Sequence, residues 1–265
     1  MGMATIPMGS LSFFTHMRQA MIFAAGLGTR LRPLTDSRPK ALVEVGGQPL
    51  LWHVIRRLQQ SGFDRIVVNV HHFARQIVDY LAANDHFGLD IRVSDETSLL
   101  LETGGGIKKA LPLLDPSLPL LVHNVDIFSN ARLDALYDEA LDTGADALLL
   151  VSRRQTKRYL LFGEDRRLRG WTNVETGEVK PQGDDRLLQQ LPTLERLAFS
   201  GIHVLSPAAY SLFADMPRRF GIIDYYLKFC HSHSFVGKEQ PGLRLLDVGK
   251  PDSLSEASHF LQDEE

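Results

Sequence analysis

Short apolar runs and amphipathic stretches alternate along most of the chain. Residues 21–25 and 120–122 are brief apolar runs, and residues 65–70 (Arg-Ile-Val-Val-Asn-Val) are almost continuously apolar, as in a strand buried on both faces of a parallel sheet. Between the first and third of these, a short strand is predicted at 42–45 and a turn at Gly46-Gly47. Leu50, Leu51, Val54, Ile55 and Leu58 then recur at the helical period after Pro49, and Gly62 ends that helix. A second helix is predicted over 73–83, with Phe73, Ile77, Tyr80 and Leu81 on one side, followed by a strand at 90–93. A helix over 131–142 presents Leu133, Leu136, Tyr137, Ala140 and Leu141 as its buried face, and a strand follows at 147–151. This succession predicts an α/β fold, doubly wound around a mostly parallel central sheet.

The alternation stops near residue 153. From there to 195 the chain is basic and turn-rich, with Gly163, Gly170, Gly177 and Gly183 at short intervals. It reads as a small antiparallel insertion of ribbon and loop, irregular in pattern and seated on the core. Strands at 197–205 and 243–246 and a helix at 222–230 restore order. A terminal helix follows, with Ser253 and Glu256 spaced as a capping box and Leu254, Ala257 and Leu261 facing inward. Residues 1–19 lack a basic segment followed by a long apolar stretch, so they read as a disordered N-terminal extension and not as a secretory signal. Residues 20–265 then form a single domain.

Composition narrows the function classes. The 265 residues are 44% hydrophobic and 23% charged, enough for a substantial core in an ordinary folded protein. A net charge of −3 gives no electrostatic footprint for nucleic acid, and no apolar run approaches a membrane span. The lone Cys230 excludes an internal disulfide and a cysteine-built zinc site, and it fits a reducing cytoplasm. Affinity for phosphate must therefore be local.

Residues 21–40 supply it. The apolar run empties into Gly26 and Gly28, and then into Thr29, Arg30, Arg32, Arg38 and Lys40. Glycines let backbone N–H groups approach an anion closely, while Arg30 offers a fork of donors and Lys40 a mobile point charge. The set suits a triphosphate. Position 31 is Leu, so the dinucleotide Gly-x-Gly-x-x-Gly is incomplete, and no Gly-Lys-Ser/Thr completes a P-loop. Gly-x-Gly alone would read first as an ordinary turn on a solvated basic face.

Ligands of open α/β sheets sit beyond the carboxyl ends of the strands. Asp126, in His123-Asn124-Val125-Asp126, and Asp247, in Asp247-Val248-Gly249, both follow apolar runs. Either alone would pass as a cap or turn residue; together they could share Mg²⁺, which favours one or two carboxylates plus phosphate oxygens. Glu102-Thr103-Gly104-Gly105-Gly106-Ile107 places three glycines ahead of a helix. That arrangement suits a flat ligand against the backbone or, equally, a flexible helix entry. Asn69 and His71 end the third strand and face either a nucleotide or their own neighbours, and His123 and Asn124 carry the same ambiguity.

The string Ala25-Gly26-Leu27-Gly28-Thr29-Arg30-Leu31-Arg32-Pro33-Leu34-Thr35, with Pro39-Lys40 following, resembles the signature of the sugar-1-phosphate nucleotidylyltransferases. The resemblance runs on through 102–107, 126, 199–202 and 247–249, nearly the whole chain. It implies a GT-A-like variant of the Rossmann sheet and an Mg²⁺-dependent reaction between a nucleoside triphosphate and a sugar 1-phosphate. By the same resemblance, Ala25, Gly26, Gly28, Thr29, Asn69, Glu102, Thr103, Gly104 and Gly105 meet the nucleotide. Arg30, Lys40 and Asp126 carry catalysis, and Asp126 and Asp247 hold the metal. Asn124, Ser200 and Gly201 lie by the sugar phosphate. Lys180 stands where many relatives place a lysine on that phosphate, a solvated loop lysine being the other reading. The family usually has Gly immediately before the first metal aspartate; here it is Val125.

The form Glu-Thr-Gly-Gly-Gly-Ile points within the family to UTP and N-acetylmuramate 1-phosphate, for cell-wall precursors. GTP with mannose or heptose 1-phosphate, and a non-catalytic regulatory subunit that binds sugar nucleotides, are the alternatives. An oxidoreductase would need the missing third glycine and an acidic residue ending the second strand. Monomer and homodimer are both compatible with the resemblance.

Overall fold

The computed structural model describes residues 17–262, so the expected N-terminal extension lies, up to residue 16, outside the described residues. Its predicted boundary is late by one residue, because β1 (Gln19–Phe23) already contains Gln19. That buried amide donates to the carbonyls of Asp115 and Leu118 at 2.9 and 3.0 Å and accepts from the Asp115 N–H at 2.8 Å. Beyond the glycine loop, residues 40–42 form a tight turn of helix, leaving only β2 (Glu44–Val45) of the predicted strand, which pairs with β3 (Gln48–Pro49).

The alternation then proceeds largely as the periodicity predicts: α1 (Leu50–Gln60), β4 (Arg65–Val70), α2 (Ala74–Ala83), β5 (Asp90–Asp95) and α3 (Glu102–Ala110). The next elements are β6 (Leu120–Asn124), β7 (Ile127–Ser129), α4 (Leu133–Thr143) and β8 (Ala147–Ser152). Next come β9 (Arg158–Phe162), β10 (Leu168–Asn173), β11 (Glu178–Lys180), α5 (Asp185–Gln190) and β12 (Glu195–Leu205). The chain closes with α6 (Ile222–Phe229), β13 (Phe235–Glu239), β14 (Leu245–Asp247) and α7 (Asp252–Gln262).

Ten strands form one mixed sheet. β6, β1, β4 and β5 lie side by side and parallel, joined by crossovers through helices. β12 runs antiparallel to β6 and, through its earlier residues 195–197, to β9. The segment read as an irregular antiparallel insertion is a three-stranded antiparallel ribbon, β9-β10-β11, with one register shift between Leu168 and Gly170, that extends the main sheet. Its turn-rich sequence hid a register that only strand pairing fixes.

The sheet divides the core. Ala20, Ile22, Ile66 and Val68 pack with α1 and α4, while Met21, Val67, Leu120 and Val122 pack with α3 and α6. This is the period-two alternation of a strand covered on both faces. The five predicted residues of α1 are all buried, each worth about 1.5–3 kcal/mol. On α4, Leu141 instead lies 57% exposed, because the helical stripe of Leu133, Leu136, Tyr137 and Ala140 has already turned past it. Ser253 sits inside the first turn of α7 and donates its hydroxyl to the Lys250 carbonyl at 2.7 Å, so the expected capping box does not form. Two histidines lie fully inside. Burial pushes the pKa of His123 down to about 4 and that of His203 to about 3. Among the described residues no helix is long and apolar enough to cross a membrane.

Candidate active site

The carboxyl ends of β1, β4 and β6 open into a cavity of about 440 Å³. β1 delivers Ala24, Ala25 and Gly26 to its floor, β4 delivers Asn69, and β6 delivers Asn124 and, just beyond, Asp126. Glu102 and Thr103 close one side from the start of α3. Of the nucleotide residues predicted from the sequence, Ala25, Gly26, Asn69, Glu102 and Thr103 therefore line one space, with Lys40 and Asp126.

Asn69 is the tie between neighbouring strand ends. Its Oδ1 accepts the Ala24 N–H at 2.8 Å, and its Nδ2 donates to Glu96 Oε1 at 2.8 Å. Glu96 is fully buried, lines the cavity, and accepts the Leu101 N–H on its other oxygen at 3.0 Å, just ahead of α3. Sequence reasoning missed Glu96. It follows β5 directly, so the strand-end rule that singled out Asp126 would have found it had β5 been extended past residue 93.

The glycine loop leaves β1 and turns at Gly28, where φ is +65°. A Cβ there would meet Thr35 Cγ2 at 2.9 Å and Lys40 Cβ at 3.0 Å; glycine is required for both its dihedral and its lack of bulk. The Gly28 carbonyl accepts the Thr35 hydroxyl at 2.8 Å and the Leu31 N–H at 2.9 Å. Thr29 and Arg30 belong to that turn, outside the cavity wall. The fold back from Thr35 to Lys40 sends the lysine, 8% exposed, into the cavity, where its ammonium pairs with the Asp126 carboxylate.

Asp247 arrives differently from the prediction. It ends β14, which pairs with β7 in a separate two-stranded ladder and not in the main sheet. The Val248 N–H donates to the Asp126 carbonyl at 2.8 Å, which makes the two aspartates near neighbours in space. A Cβ on Gly249 would lie 2.6 Å from both Asp247 Oδ1 and Arg30 Nη2, so these two groups flank that glycine. Two carboxylates, both oxygen donors, thus stand beside a cation-bearing loop. The set matches the hard-ion chemistry of Mg²⁺, which keeps remaining positions for phosphate and water.

The three consecutive glycines are close-packing positions in the fold. They lie within α3, not ahead of it. The N–H groups of Gly104 and Gly105 donate to the Phe220 carbonyl at 3.0 and 3.1 Å. A Cβ on Gly104 would strike the Phe220 ring, one on Gly105 would lie 2.6 Å from the Arg218 carbonyl, and one on Gly106 would lie 2.9 Å from Glu96 Oε1. The Glu96 carboxylate excludes a side chain at Gly106, and close packing of α3 against residues 218–221 excludes one at Gly104 and at Gly105. Thr103 reinforces it by accepting the Ile222 N–H at 2.8 Å, and Arg219 pairs with Glu102 at 2.9 Å.

The residues expected near the sugar separate into two groups. Gly201, at φ +81°, occurs where the β12–β8 register shifts, and a Cβ there would collide with the Asn124 amide. Ser200 is buried behind it, its Oγ accepting the Ile202 N–H at 3.1 Å. Lys180 stands apart on the ribbon. Its Nζ lies 5.1 Å from the Trp171 ring centroid and 3.4 Å from Glu178, and it lines a different cavity.

Comparison with known proteins places this architecture. The family model described as nucleotidyl transferase matches residues 19–264. The N-acetylmuramate alpha-1-phosphate uridylyltransferase of Caulobacter vibrioides is 34% identical over 239 residues, 88% of this chain and 92% of that protein. The enzyme of the same name from Neisseria meningitidis serogroup B is 46% identical over 123 residues, 46% of this chain and 52% of its own. Among solved structures, HddC from Yersinia pseudotuberculosis, complexed with GMP-PN, superposes with a TM-score of 0.71 at 22% identity, covering 92% of this chain and 100% of its own. A UDP-glucose pyrophosphorylase complexed with UDP-glucose gives 0.73 at 15% identity, covering 94% and 100%. These structures share the fold, and the match of the family model over nearly all of the described chain decides the rest: this chain belongs to the nucleotidyl transferase family.

Proposed function

We propose that this nucleotidyltransferase joins UTP to N-acetylmuramate 1-phosphate, releasing pyrophosphate and forming the UDP-sugar. The observation that carries the reading is the Lys40 ammonium, drawn into a cavity at the strand ends and held there against Asp126 beneath the glycine loop. A buried cation beside a phosphate-sized opening suits a polyphosphate. The choice of base and sugar is supported by the 34% identity to the Caulobacter enzyme over most of both chains.

An oxygen of the sugar phosphate attacks the α-phosphorus in line; the bond from that phosphorus to the bridging oxygen breaks, and pyrophosphate leaves with the electron pair. The attacking group is already an anion, so no side chain needs to take a proton. Catalysis then rests on positioning and charge neutralisation. Lys40 and Arg30 meet the α-phosphate and the departing pyrophosphate, where negative charge grows. Asp126 and Asp247 would hold Mg²⁺, which when bound supplies charge neutralisation at phosphate oxygens. In the free enzyme Lys40 is the counter-charge of Asp126, and a triphosphate entering the cavity offers Lys40 an alternative partner. Asn69 and Glu96 keep the floor fixed while this exchange takes place.

Pyrophosphate release measured with UTP, GTP, CTP and ATP against a panel of sugar 1-phosphates tests the reading. UTP with N-acetylmuramate 1-phosphate is expected to give the highest kcat/KM. Binding of nucleotide without release of pyrophosphate for every pair would instead identify a non-catalytic sugar-nucleotide sensor.

A further inference from the structure

The ribbon carries a second cavity, of about 500 Å³. In its register Arg158 stands opposite Asn173, which is opposite Glu178; Leu160 stands opposite Trp171, which is opposite Lys180. Directly opposed residues share a face, and all six of these line the cavity. The far wall is Phe199 of β12 with Ile223 and Asp224 of α6. Gly221, immediately before α6, lines the nucleotide cavity, and Gly201, two residues after Phe199, touches Asn124 of that cavity. The two spaces therefore adjoin along two seams.

Most of the charge facing the second cavity is already matched. Lys180 sits with Glu178 and over Trp171. Asp224 accepts the Gly221 N–H at 3.1 Å. Arg154 and Arg158 remain. Arg154 gives one donor to the Phe199 carbonyl at 3.2 Å, and the Arg158 guanidinium meets no carboxylate or other acceptor among the described residues. Two guanidinium groups thus rim a hollow with an aromatic wall, beside the place where a phosphate must react.

We propose that this hollow seats the sugar and that Arg158, assisted by Arg154, selects a sugar bearing a carboxylate; the inference rests on the nucleotidyl-transfer reading above. Trp171 and Phe199 offer flat apolar surface to a sugar ring. A guanidinium fork matches a carboxylate through two parallel hydrogen bonds. A neutral sugar of the same ring would leave that fork to water and gain nothing from it. Arg158 and Arg154 are specificity residues on this view, remote from the reacting phosphorus.

The test uses the full chain with UTP and two sugar 1-phosphates that share a ring: N-acetylmuramate 1-phosphate, which carries a carboxylate, and N-acetylglucosamine 1-phosphate, which does not. The acidic sugar should be preferred in kcat/KM by about tenfold to a hundredfold, the range of a charge-assisted hydrogen-bond pair. In Arg158→Met that ratio should fall by a similar factor, chiefly through KM, with Arg158→Lys recovering part of it. A ratio cancels any general damage to folding or turnover. Independently, Trp171 fluorescence in a Trp52→Phe background should report the acidic sugar phosphate at lower concentration than the neutral one, and this advantage should disappear in Arg158→Met. If both sugars react equally well, or the Arg154→Met/Arg158→Met double variant keeps the wild-type ratio, the carboxylate site is wrong while nucleotidyl transfer stands. If no sugar 1-phosphate releases pyrophosphate but Arg158-dependent quenching persists, the transfer reading falls and the carboxylate site stands. Neither turnover nor quenching overturns both.

Discussion

In the parallel part of the sheet, the polar side chains at the cavity are mostly held by other groups of the protein. Asn69 grips the end of β1 and the Glu96 carboxylate, Glu96 grips the chain ahead of α3, and Lys40 is paired with Asp126. On the antiparallel ribbon the cavity-facing side chains stand on an open face, and the Arg158 guanidinium has no acceptor among the described residues. The first region is preorganised before any ligand arrives, as a site that stabilises growing charge must be. The second leaves its donors available to a guest, at the cost of rotamer freedom lost on binding. The contrast separates chemistry common to a family from recognition particular to one chain.

The sharpest way to break this contrast is to compare one ion pair from each region. Lys40→Met and Asp126→Asn should each lower kcat by about 10²–10⁴-fold in a pyrophosphate-release assay, because they remove charge placed at the reacting phosphates. Far-ultraviolet circular dichroism should remain that of the folded protein. Lys157→Met, which removes the exposed Lys157–Glu175 pair of the ribbon, should leave kcat unchanged. Equal losses at both sites would erase the distinction.

Packing offers a second test. Gly104→Val places a branched side chain into the Phe220 ring, and overpacking of this kind costs about 1–3 kcal/mol or more. It should appear as a lower urea midpoint. An unchanged midpoint would mean that α3 is looser against residues 218–221 than its glycines require.

The seam between the regions, β6 against β12, contains His123 and His203. Both have folded pKa values below the ordinary histidine value, near 4 and 3, because burial disfavours the charged ring. The unfolded chain therefore takes up protons first as pH falls below about 6.5. Stability is fully present above that value and declines toward the folded pKa values, by up to about 2 kcal/mol per histidine at pH 5. His203→Phe should flatten part of the decline in urea midpoint between pH 7.5 and 5. Neither ring nitrogen of His203 has a hydrogen-bond partner among the described residues, so little is lost in exchange.

The smallest effect expected is that of Glu175→Ala on stability. Lys157 and Glu175 are 71% and 57% exposed, and removing such a pair should shift unfolding by no more than about 0.5 kcal/mol.

The same contrast explains what the sequence made legible. Strands buried on both faces are nearly all apolar, so β1, β4, β6 and β8 stand out, and functional residues at the ends of β4 and β6 follow from the rule for open sheets. Lys40, Asn69, Asn124 and Asp126 share one cavity as that logic requires. Gly104 and Gly105 were expected ahead of the helix and lie within it, because a glycine that opens a helix and one that admits a neighbouring ring look alike in sequence. Asp247 was placed on a strand of the main sheet, when a two-stranded ladder carries it. The Arg158 face lay beyond reach for another reason: it arises from opposed positions on three strands, and register is not a local property. Leu141 shows the limit of counting apolar residues along a helix without the angle at which the stripe ends.

The register of β8 against β12 sets Ser152 opposite Ala198 and Val151 opposite Phe199. The chain leaves for the ribbon and returns from it at two adjacent doorposts. Residues 153–195 thus leave and rejoin the sheet side by side, and transplanting the equivalent stretch from a relative with another sugar preference requires first that those doorposts stay in step. Several stitches would have to be re-sewn in such a chimera: Arg166 and Arg153 are bonded to Glu239 of β13 at 2.7 and 3.1 Å, Asp184 meets His231 at 3.1 Å, and the Arg166 carbonyl accepts the Gly237 N–H at 2.9 Å, so the donor sequence must reproduce these groups or the recipient must surrender their partners.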